Sequence, residues 1–95
     1  MFINEMVSFL LNEDAAETWV RKRILSTGTL PKDIKPGAGF GDMGLSDMDQ
    51  AYFLMDAEKA FNFQVPDKYL DPSSAPELTY DEAVKMVRHA MTRKH

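Results

Sequence analysis

Apolar residues recur along this chain at the three-and-four spacing that marks one buried face of an α-helix. Phe2, Ile3, Met6, Val7, Leu10 and Leu11 form a first set, and Ala16, Trp19, Val20 and Ile24 a second. No glycine or proline lies between them. The pattern therefore predicts helix over about residues 2–12 and again over about 15–27. Asn12-Glu13-Asp14 either separates the two, with Asn12 or Asp14 as a cap, or lies inside one long helix.

The periodicity ends at Ser26-Thr27-Gly28, since glycine takes the left-handed conformation cheaply after a helix. Pro31, Pro36, Gly37, Gly39, Gly41 and Gly44 then exclude regular structure over most of the next stretch. Leu30 and Ile34 are expected to pin this loop to the core. Ser46 starts a new helix, as an N-cap followed by first-turn acids Asp47 and Asp49. Asp49 occupies the place of a capping-box glutamate, with a shorter side chain. The expected buried stripe is Met48, Ala51, Tyr52 and Met55, joined by Leu54, with the Tyr52 hydroxyl keeping that ring partly exposed. Phe61 and Phe63 follow, and Gln64-Val65-Pro66-Asp67 stops the helix.

Asp67 to Leu70 reads as a short helical turn and Asp71 to Pro76 as irregular chain. Thr79 caps a last helix with Glu82 as its capping-box partner. Ala83, Val84, Met86, Val87 and Ala90 give that helix its buried face. Arg88, His89, Arg93, Lys94 and His95 lie toward its negative end. No strand and no internal repeat is legible. The expectation is one all-α domain over residues 1–95.

Composition narrows the function. At 95 residues the chain makes one domain with one modest core. It has no cysteine, which excludes a disulfide framework, a thiolate metal site and a cysteine nucleophile, and fits a cytoplasmic setting. The longest uncharged apolar run, Met6 to Leu11, is far too short to span a bilayer, so no membrane association is expected. The net charge of −4 is unevenly spread: Phe40 to Glu82 holds ten acids and two bases, and the rest five acids and nine bases. An acidic segment of that kind repels nucleic acid and steers basic partners toward it.

No catalytic constellation emerges. His89 and His95 are the only histidines and do not share a metal-ligand spacing, so no metal site is expected. Asp42, Asp47 and Asp49 lie close together without the calcium-loop pattern. The glycines of the long loop follow no strand and precede no Gly-Lys-Ser/Thr, so they are not a phosphate loop. The reading is a binding domain, not an enzyme.

The run Phe40-Gly41-Asp42-Met43-Gly44-Leu45-Ser46-Asp47-Met48-Asp49 resembles the heart of the acyl carrier protein family, which reads Asp-Leu-Gly-x-Asp-Ser-Leu-Asp at the start of its second helix. Glu58, Phe61, Val65, Pro66 and Asp67 also resemble the family's pattern, as does Leu78-Thr79-Tyr80-Asp81-Glu82-Ala83-Val84. The likeness covers about residues 15–90 as a carrier-like core, leaving 1–12 as an N-terminal helical extension. It implies an acyl-carrier-protein-like four-helix bundle with an additional or extended N-terminal helix. It also implies docking onto pathway enzymes with basic patches, in acyl, polyketide or peptide biosynthesis, by a protein that acts as a monomer.

In that family a serine carries 4′-phosphopantetheine. Here the gap-free register puts Asp47 at the serine position and Ser46 just before it. A carboxylate is not a stable acceptor for that arm. Two readings follow: a degenerate carrier without the cofactor, or a functional carrier with 4′-phosphopantetheine displaced onto Ser46. A third is a structural interaction module whose partner meets Phe2, Met6, Phe9 and Leu10. The resemblance implies a docking surface drawn from Asp42, Met43, Asp47, Met48, Asp49, Tyr52 and Asp56. Tyr52 stands where the family commonly has glutamate, and Lys59 where another acid is frequent.

Overall fold

The computed structural model describes residues 15–92. The helix expected over 2–12 and the last basic residues, from Arg93, lie outside them. Three helices make up the described fold: α1 (Ala15–Leu25), α2 (Asp47–Phe61) and α3 (Tyr80–Thr92). Short 3-10 turns at Pro31–Asp33, Gly41–Met43 and Asp67–Tyr69 punctuate the connections. Among the described residues there is no strand beyond one isolated antiparallel bridge, Gly39 to Thr79. The architecture is a compact all-α helical bundle, and no described helix is long and apolar enough to cross a membrane.

The starts of α2 and α3 and the end of α2 have local causes. Ser46 and Asp49 form a reciprocal capping box on α2: the Asp49 backbone N–H donates to Ser46 Oγ at 3.1 Å, and the Ser46 N–H to Asp49 Oδ2 at 2.9 Å. Two of the helix's otherwise unpaired donors are thereby satisfied. The same device starts α3, with the Thr79 N–H donating to Glu82 Oε1 and the Glu82 N–H to Thr79 Oγ1. Both capping boxes follow the sequence reading.

α2 ends earlier than Pro66 requires. Asn62 takes the left-handed conformation (φ 53°) and its N–H returns to Glu58 O. Asparagine is one of the few side chains that adopts this geometry at modest cost. The stop is thus a local cap, and Val65-Pro66 only continues an already extended chain.

The core forms where α1, α2 and α3 converge with the long loop. α1 contributes Ala16, Val20 and Ile24, and α3 contributes Tyr80, Ala83, Val84, Val87 and Ala90. Trp19 packs edge-on against Phe61 at 4.9 Å and meets Phe53 at 5.7 Å, and Phe53 meets Phe40 at 5.3 Å. Such tilted aromatic pairs add to the burial of their area.

Two expectations about the core are corrected. α2 does not bury the stripe of Met48, Ala51, Tyr52 and Met55. Its inner face is Gln50, Phe53, Leu54 and Ala57, while Met48, Tyr52 and Met55 are exposed. The run Ala51-Tyr52-Phe53-Leu54-Met55 is apolar in almost every direction around the helix, so pattern alone does not choose the face. Contact of Phe53 with Phe40 and Trp19 does. Leu30 is exposed rather than an anchor: the turn at 30–33 is held by backbone bonds from Asp33 to Leu30 O and from Ile34 to Pro31 O. Ile34 packs partly on the core as expected, but Phe40, Met43 and Leu45 are what seat the loop.

Candidate docking face and attachment position

The approach to α2 is shaped by a turn at Phe40–Leu45. Gly41–Met43 winds one 3-10 turn, and Gly44 closes it with φ 83°, a geometry that favours glycine. The Leu45 N–H then returns to Phe40 O at 2.9 Å. This turn drives Met43 inward to 3 % exposure and Leu45 to 8 %. Thr29 Oγ1 donates to the Met43 carbonyl at 2.7 Å and ties the turn back to the end of α1. Met43 therefore cannot face a partner. Its place on the expected docking surface is corrected, because the left-handed Gly44 reverses the chain and commits that side chain to the core.

Ser46 and Asp47 stand side by side at the head of α2, and both are exposed. Ser46 is extended (φ −82°, ψ 172°) and spends its oxygen on the cap. Asp47 is the first helical residue, projecting where the unpaired N–H groups of α2 favour negative charge.

The acids expected to form the docking rim are mostly committed within the chain. Asp42 accepts from the Gly39 N–H at 3.0 Å. Asp49 closes the capping box. Asp56 forms an ion pair with Arg23, whose guanidinium also lies over the Trp19 ring. Glu58 accepts from the Val65 N–H at 2.9 Å and so fixes the chain leaving α2. Asp47 remains presented to solvent.

The exposed surface of α2 is instead apolar. Tyr52, 57 % exposed, forms a ridge between two depressions. One, of about 180 Å³, lies toward α1 and is lined by Ile24, Phe40, Leu45 and Phe53, with Arg23 and Asp56 at its edge. The other, of about 150 Å³, lies toward the Asp67–Tyr69 turn and is lined by Met48, Leu54, Met55, Val65, Tyr69 and Leu70. Of the residues expected to dock, Met48 and Tyr52 share the groove toward the Asp67–Tyr69 turn, Asp47 is exposed at the head of the helix, and Asp56 edges the depression toward α1. Asp42 is exposed on the preceding turn, and Asp49 is half-buried in its cap.

Sequence reading missed Gln50. It is 6 % exposed; its amide N–H donates to Pro76 O, and its carbonyl accepts from the Leu78 N–H, both at 2.9 Å. This side chain holds the segment before α3 against α2. The available signal was its spacing: residues 50, 53, 54 and 57 form one face. Glu77 has a similar role at the surface, accepting from the Gly41 N–H at 2.6 Å. A Cβ at Gly39 would lie 2.6 Å from that carboxylate group, which would have to move aside to admit it.

Among the described residues no group of three or more histidine, cysteine, aspartate or glutamate side chains is placed to hold a metal ion. Compared with protein-family models, with curated proteins and with solved structures, the chain matches none.

Proposed function

We propose that this chain is an acyl-carrier-protein-like domain that docks onto enzymes of an acyl, polyketide or peptide pathway and carries no phosphopantetheine at the usual position. The observation that supports this reading best is the head of α2, where an exposed aspartate stands at the family's serine position and the neighbouring serine is engaged as a cap. Asp47 has no alcohol oxygen to esterify. Esterifying Ser46 would put a phosphodiester anion beside the Asp47 and Asp49 carboxylates, a like-charge arrangement that disfavours it. Docking then falls to the face of Asp47, Met48, Tyr52 and Met55, where apolar contact contributes more than the internally paired acids.

The test is intact mass after incubation of the full chain with a broad-specificity phosphopantetheinyl transferase and coenzyme A, beside a carrier protein known to be modified. Wild type is expected to stay unchanged, and Asp47→Ser to gain one phosphopantetheinyl group. A gain by wild type that disappears in Ser46→Ala would replace this reading with a carrier whose anchor has shifted. Failure of folded Asp47→Ser to be modified would remove the support for carrier likeness.

A further inference from the structure

We draw no further inference here: the strongest candidate, the apolar groove of α2 toward the Asp67–Tyr69 turn bordered by Met48, Tyr52, Met55 and Leu70, is an unpartnered face, and nothing in the structure shows what covers it.

Discussion

A single buried amide carries much of the specificity of the α2–α3 connection. Gln50 pairs with both Pro76 O and the Leu78 N–H, and Leu78 is fully buried. Replacing it by leucine keeps the volume but strands the Leu78 donor in the interior. A buried donor left without a partner costs about 1–3 kcal/mol. Gln50→Leu is therefore expected to lower the stability of the domain by about 2 kcal/mol in urea unfolding. Gln50→Glu can still accept from Leu78 but sets a buried carboxylate oxygen against the Pro76 carbonyl, so it is expected to cost at least as much. Ser46 shows the opposite limit of legibility: its capping box can be read from Ser46 and Asp49 alone, because both partners lie within one turn. Gln50's partners lie 26 and 28 residues away, and no local rule points to them.

At the scale of elements, the fold depends on two left-handed residues flanking α2. Gly44 and Asn62 both have positive φ, one glycine and one not. They give opposite expectations. Gly44→Ala introduces a Cβ with nothing within 4 Å, so its penalty is backbone strain alone, about 1–2 kcal/mol. Asn62→Gly removes such strain at the other end and should be neutral to stabilising by a few tenths of a kcal/mol. Urea midpoints of the two variants against wild type check both signs. Both helix starts, and the approximate extent of each described helix, were legible because capping and periodicity are short-range. The inner face of α2 was not. Five consecutive apolar residues satisfy several helical faces equally, and only packing against Phe40 and Trp19 selects Phe53, Leu54 and Ala57.

Across the whole molecule, α1 packs chiefly on α3, and a tyrosine hydroxyl bridges the two. The Tyr80 side chain is buried, and its hydroxyl donates to Glu17 Oε2 at 3.2 Å. Burial first, then the Glu17 carboxylate, pushes its pKa from the usual 10 up to about 12. The folded state thus holds this proton more tightly than the unfolded chain. Its stabilising contribution is full below pH 10 and is lost as pH rises toward about 12. Unfolding midpoints at about pH 9 and about pH 11.5 should show a larger alkaline loss in wild type than in Tyr80→Phe, where this proton is absent. An equal loss in the two proteins would assign the pH dependence to other groups.

By itself the sequence determined the helical class, the capping boxes and the breaks in the long loop. These features depend on a residue and its neighbours within a turn or two, where backbone sterics and local hydrogen bonds act. Only the tertiary structure decided that Met43 is closed, that Met48, Tyr52 and Met55 are open, and that most of the acids around α2 are already paired. Those outcomes turn on which helical face meets Phe40 and Trp19 and on bonds spanning tens of residues. The free energy of burial belongs to that whole packing and not to any segment of it.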